Sequence, residues 1–303
     1  MRERSGELSL LLAALIWGTC FVAQRVGLDS VGPYTFQAVR CLLGAAVLTL
    51  VCVLRAKRDR KQGRFQPIVW KNLLIGGACC GGVLCVATNL QQLGLQFTTP
   101  GKSGFITSMY MVLVPILSTA LGRLPRLRHW FCVALAAVGL YLLSVSGQLR
   151  LNAGDALTLV GSLFFALQIM AVDRFAPDLD GVQLSCVQFW VVGLLTAVPM
   201  LALETPTISG LLGAAIPILY AGVFSCAVAY TLQIIGQQRC EPVVATVLMS
   251  LESVFSVLTG LVLLHQVPTA REALGCAVMF TAVLLSQLPV EALVTRRTCP
   301  EEL

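Results

Sequence analysis

A chain of 303 residues in which 57% are of apolar type and 12% are charged, with a mean hydropathy of +0.83, lies outside the ordinary soluble class, which carries about 25% charged residues. The formal net charge of +6 does not point to nucleic acid. Arg55, Lys57, Arg58, Arg60, Lys61, Arg64 and Lys71 crowd between two apolar blocks, where basic residues set membrane orientation.

The apolar residues come in blocks of about 20, enough at 1.5 Å per residue to cross a hydrocarbon core of about 30 Å. The sequence therefore predicts an all-α polytopic membrane protein of ten spans. The first, 8–26, follows Arg2 and Arg4 like a signal peptide, but it lacks an A-x-A cleavage site and leads at once into further spans. It reads as a retained helix with Trp17 at its centre. The second, 34–54, contains Arg40 and runs into the basic cluster. The third, 71–93, carries Gly76, Gly77, Gly81 and Gly82, then Asn89 and Gln91; the Gly77-x3-Gly81 spacing permits close helix approach. Tyr110 lies in the fourth, 102–121, and the fifth covers 129–146. The later spans are 154–174, 182–203 with Gln188, 210–235 with Tyr230 and Gln233, 243–264 with Glu252, and 272–290. Residues 291–303 form a short tail. Gly32-Pro33, Pro100-Gly101, Pro125, Pro177, Pro206, Pro242 and Pro268 punctuate the breaks.

With the N-terminus inside, 16 Lys and Arg fall on the cytoplasmic side and 4 on the other, with Arg40 inside a span. The positive-inside rule then places both termini in the cytoplasm. Adding 148 to positions in the first two spans lands on similar patterns, LIWGTCFVAQR (15–25) on LFFALQIMAVD (163–173) and QAVRCLLGAAVL (37–48) on SCVQFWVVGLLT (185–196). Adding 142 takes NLQQLGLQFTTP (89–100) onto TLQIIGQQRCEP (231–242). The predicted organisation is a first five-helix repeat at 8–146 and a second at 154–290. Five is odd, so the second copy enters the membrane inverted, and a cavity is expected between the copies near the midplane.

Ten of the twelve cysteines lie within apolar spans, the expected place for small buried thiols. With no CxxC pair and only His129 and His265 as histidines, no metal or other cofactor is expected. There is no G-x4-G-K-[ST] phosphate loop, so transport driven by ATP on this chain is not expected.

The stretch SLESVFSVLTGLVLLHQVPTAREALGCAVMFTAVLLSQL (250–288), the opening LLLAALIWGTCFVAQRVGL and the Arg of FQAVRCLLGA resemble the EamA-type repeat of the drug/metabolite transporter superfamily. Ser253 stands where many relatives have Pro, and His265-Gln266 where they have Gly-Glu, which removes an acid from the end of the ninth span. The resemblance implies a ten-helix solute carrier working by alternating access, commonly an exporter of metabolites or toxic compounds, in a bacterial inner membrane. Its partners would be a small solute, lipid and, where coupled, protons.

Ionisable side chains held in hydrocarbon usually face a cavity or a partner. Arg40 lies seven residues beyond Pro33 and Glu252 ten beyond Pro242, about 10 and 15 Å into the membrane. They read either as an ion pair pinning two helices or as cavity groups that hold the two ends of a zwitterion such as an amino acid. Glu252 is also the candidate for proton coupling. Under the repeat, Gln188 is the counterpart of Arg40 and Tyr110 of Glu252. Asn89, Gln91, Tyr230 and Gln233 are polar candidates for the same cavity, and Trp17 offers it an aromatic face.

The rival readings are a non-transporting scaffold or assembly subunit and an intramembrane serine protease. Gly101-Lys102-Ser103-Gly104 matches the GxSG of the latter, with His265 as the base; the two side chains would have to meet within about 3 Å. Substrate, direction of transport and oligomeric state are not written in the chain.

Overall fold

The computed structural model describes residues 2–63, 69–98, 100–144, 152–264 and 269–287, and these are helices joined by short turns. In chain order they are α1 (Arg2–Gly27), α2 (Pro33–Lys61), α3 (Trp70–Gly94), α4 (Pro100–Thr107), α5 (Tyr110–Ala120), α6 (Leu127–Ser144), α7 (Ala153–Phe175) and α8 (Gly181–Leu203). Two short helices, α9 (Ile208–Gly213) and α10 (Ala215–Tyr220), follow, then a π-helical segment, Ala221–Ala229, and α11 (Tyr230–Gln237), α12 (Pro242–Met249), α13 (Glu252–Leu264) and α14 (Ala270–Gln287). Eight segments are long and apolar enough to cross a membrane. The fifth and tenth predicted spans are shorter apolar helices among the described residues, Leu127–Leu142 and Ala273–Ser286. The predicted tail at 291–303 lies outside the described residues.

Side chains set the helix ends. Asn152 caps α7 in a reciprocal capping box with Asp155, and Asp180 accepts from the amides of Val182 and Gln183 at the start of α8. These contacts satisfy amides that have no partner within the helix. α2 begins with Pro33 and borrows its cap from another helix: Glu204, just past α8, accepts from the amides of Tyr34 and Thr35 at 3.0 and 2.7 Å and from the Thr35 hydroxyl. At the other end Arg55 of α2 pairs with Asp180 at 3.2 Å. The two helices are therefore antiparallel and tied at both ends. Glu204→Ala is expected to cost about 1–3 kcal/mol, read as a lower thermal midpoint of the purified protein, with Glu204→Gln intermediate.

α3 packs on α7 and α8, α2 on α8 and the π segment, α1 on α10 through α13, and α6 on α14. Close glycine crossings recur at the offsets read from the sequence. A Cβ built on Gly154 would lie 2.5 Å from the Gly94 carbonyl oxygen, and one on Gly236 would lie 3.0 Å from that of Gly6. Gly6 and Gly154 differ by 148, Gly94 and Gly236 by 142.

The π segment has its origin in the same comparison. A Cβ on Gly81 would meet the Gln188 carbonyl oxygen at 2.7 Å, and one on Gly222 would meet that of Arg40 at 2.9 Å. Arg40 and Gln188 are 148 apart, but Gly81 and Gly222 are 141 apart, against 142 further along. The later helix thus holds one extra residue between Gly222 and Gly236. Widening the turns from i→i+4 to i→i+5 bonds absorbs it.

The fourth and ninth predicted spans are each broken. α4 gives way to α5 at Ser108-Met109, and α12 to α13 at Ser250-Leu251, again 142 apart. The apolar runs gave no sign of either break.

Candidate functional site

The broken and widened helices surround one hollow. Seven of the nine predicted site residues line it: Trp17, Arg40, Gln91, Tyr110, Tyr230, Gln233 and Glu252. Trp17 and Tyr230 meet edge to face at 4.8 Å between ring centroids, and Tyr230 meets Phe189 at 5.1 Å.

Arg40 lies in the first third of α2 and is 4% exposed. Its Nε donates to Gln37 Oε1 at 2.8 Å and its Nη2 donates to the same oxygen. Its charge lies 5.6 Å from the centre of the Phe36 ring, within the range of a cation–π contact. Gln37 is fixed in turn by donating to Thr88 Oγ1 of α3 at 2.7 Å. No ion pair joins Arg40 to Glu252, which removes the reading of these two as a helix-pinning bridge.

Glu252 is the first residue of α13, at the break in the ninth predicted span. Its Oε1 accepts from Ser108 Oγ and Tyr110 Oη, each at 3.1 Å, and these donors stand at and just after the break in the fourth. Ser108 also meets Ser253 Oγ at 2.8 Å, and Ser253 donates to the Gly104 carbonyl at 3.2 Å. The two breaks are thus held together by side chains, and Glu252 is bonded to Tyr110, its own counterpart at an offset of 142.

At the other end of the hollow a run of amides links α7 to α11. Gln233 Nε2 donates to Gln168 Oε1 at 3.1 Å and Gln237 Oε1 at 3.0 Å, and Gln237 donates to the Ile169 carbonyl at 3.1 Å. Gln168 donates onward to Gln188 Oε1 at 3.2 Å. That is where Gln188 stands: buried behind Gln168, outside the lining and apart from Arg40. Asn89 is elsewhere too, donating to Thr196 Oγ1 of α8 at 2.8 Å and to the Cys85 carbonyl, a pin between helices.

Sequence reasoning missed Phe21 and Gln24 of α1 and Gln168 of α7, all in the lining. Phe21 and Gln24 follow Trp17 at spacings of four and seven, one face of a helix, so the signal was present. Several buried polar atoms of the lining have no protein partner: Trp17 Nε1, Gln24 Oε1 and Gln233 Oε1. In a closed core each would cost about 1–3 kcal/mol; in a hollow they are free for water or a solute.

Ser103 is fully buried and its hydroxyl has no hydrogen-bond partner, so no base touches it among the described residues. His265 lies outside them. Among the described residues no group of three or more His, Cys, Asp or Glu side chains is placed to hold a metal.

A family model described as the EamA-like transporter family matches residues 4–145 and 152–288. An uncharacterized transporter of Archaeoglobus fulgidus is 31% identical over 285 residues, covering 94% of this chain and 86% of that protein. The uncharacterized inner membrane transporter YedA of Escherichia coli K12 is 24% identical, covering 92% of this chain and 90% of that one. A solved crystal structure superposes at a TM-score of 0.75 with 19% identity, covering 98% of this chain and 99% of the other; at that identity it bears on the fold alone.

Proposed function

The chain belongs to the EamA-like transporter family, and from that premise we propose that it is a secondary transporter moving a small solute across the cytoplasmic membrane by alternating access. Ten helices form two inverted sets of five, 8–146 and 154–290, with both termini in the cytoplasm. Support for the inversion comes from the paired glycine crossings at offsets of 148 and 142, the matching helix breaks, and the bond between Tyr110 and its counterpart Glu252. The direction is export, and amino acids or related zwitterions fall within the range of solutes.

One observation carries the reading: Arg40 and Glu252, drawn from opposite halves, both line the same hollow without pairing. A scaffold needs no such space, and two unpaired ionisable groups at membrane depth are costly to keep there. The amide run from Gln168 to Gln237 closes the cytoplasmic end.

Purified protein in liposomes, screened against amino acids, purines, cationic drugs and sugar derivatives, tests the reading. At least one solute should cross faster than in protein-free vesicles, and Arg40→Ala should reduce that flux at least about tenfold, the loss of about 1.4 kcal/mol or more of interaction. Flux no greater than the leak for every solute, or full flux in the variant, overturns it.

A further inference from the structure

We propose that the hollow is built to receive an anionic group of its solute, a carboxylate or comparable oxyanion, on the guanidinium of Arg40, and that Gln37 is the residue that aims it. The proposal deepens the transporter reading above and rests on it.

A guanidinium at this depth normally has a carboxylate beside it, because burying an unpaired charge costs several kcal/mol. Here no carboxylate lies within ion-pair distance of Arg40 among the described residues. Glu252, the acidic residue of the lining, is engaged instead with Ser108 and Tyr110. What holds Arg40 is one neutral oxygen, Gln37 Oε1, which takes both Nε and Nη2. A neutral acceptor satisfies donors without cancelling their charge.

Gln37 can do this because it is immobilised. It is fully buried, and its amide nitrogen donates to Thr88 Oγ1 at 2.7 Å, while Thr88 is anchored to the Leu84 carbonyl at 2.8 Å. The edge of the guanidinium carrying Nε is therefore used up, and among the described residues Nη1 makes no hydrogen bond, on a side chain that lines the hollow. Trp17 Nε1, in the same lining, is a buried donor with no acceptor among the described residues. Two unanswered donors and an uncancelled positive charge among aromatic walls describe the chemistry of an organic anion. A planar guanidinium suits an oxyanion better than any other group.

The rival account is that Arg40 only ties α2 to α3 through Gln37 and Thr88. Gln37→Glu cancels the charge by an ion pair with Arg40 inside α2, at the expense of the hydrogen that Gln37 donates to Thr88.

The experiment uses three probes of one shape and different charge: benzoate, benzamide and benzylammonium. Each is titrated against purified full-length protein, and the thermal unfolding midpoint is followed. Benzoate is expected to raise the midpoint, with the neutral and cationic probes at least about tenfold weaker. Gln37→Glu should abolish the benzoate effect while the variant still unfolds cooperatively with a midpoint of its own. Arg40→Gln should abolish it too, and if that protein does not fold, Gln37→Glu decides alone. The proposal is overturned if benzylammonium matches benzoate, if the three probes act alike, if none acts, or if benzoate still stabilises Gln37→Glu. A protein that moves solutes in liposomes but does not distinguish the probes loses only the anion proposal. One that distinguishes them but moves nothing loses only the transporter reading.

Discussion

Liposomes carrying Glu252→Gln are expected to lose pH-gradient-driven solute flux down to the level of empty vesicles, while downhill flux without a gradient persists. The lining offers four ionisable side chains, Arg40, Tyr110, Tyr230 and Glu252. Arginine does not give up its proton in proteins, and tyrosine does so only near pH 10 in its unperturbed form. Glu252 is therefore the expected carrier of any proton that travels with or against the solute. Glutamine has nearly the same shape, and its Oε1 can still accept from Ser108 and Tyr110, so the variant keeps the bonds that hold the two helix breaks together. What it cannot do is alternate between accepting and donating at that point. In the wild type a proton arriving on the carboxyl would turn an acceptor of two hydrogen bonds into a group with a hydrogen of its own, and the contact between the two breaks would have to rearrange. Such a rearrangement would link protonation to a movement of one half against the other. Full gradient-driven flux in Glu252→Gln would take this residue out of the coupling. Wild-type flux that ignores the gradient would remove coupling altogether.

The positions of the eight long apolar segments were legible because apolar blocks and the turn residues between them are direct properties of composition. Of the crossing glycines, Gly94 and Gly236 stand in the shared Leu-Gln…Gly…Pro frame, whereas the pairing of Gly6 with Gly154 emerges only from their contacts. The breaks at Ser108-Met109 and Ser250-Leu251 were not legible, because they contain neither Pro nor Gly. Ser108 is instead bonded across to Glu252 and Ser253, a long-range event that no local pattern records. The π segment is equally silent: AGVFSCAVA has the composition of any apolar helix, and only the change of offset from 141 to 142 betrays the extra residue. Helix phase explains the misplaced site residue Asn89. It stands two positions before Gln91, about 200° around the axis, so the two could not both face the hollow. Gln91 does, and Asn89 turns to α8. Gln37 was within reach, three residues before Arg40 on the same helix face, but the expectation of an acidic partner pointed elsewhere.

Gly154→Val should leave little folded protein, with a cost of about 3 kcal/mol or more, seen as a collapsed thermal midpoint and loss of the monodisperse species. The reason lies in what the new carbon would meet. A Cβ at Gly154 would lie 2.5 Å from the Gly94 carbonyl oxygen, and one at Gly94 would lie 2.6 Å from that of Gly154, so backbone faces backbone and no side chain can swing aside. α7 would have to move off α3, and with it Gln168 and the amide run that closes one end of the hollow. Gly82→Val is the control, since nothing lies within 4 Å of a Cβ there; it should change stability by no more than about 1 kcal/mol. Gly236→Val gives the comparison between halves. Its Cβ would meet Leu10 Cγ at 2.6 Å and the Gly6 carbonyl oxygen at 3.0 Å. Part of that clash is with a side chain that can yield, so its penalty should fall below that of Gly154→Val and above that of Gly82→Val. If all three substitutions were equally harmless, the crossings would not be what holds the halves in register, and the geometric support for two matching sets of helices would go with them.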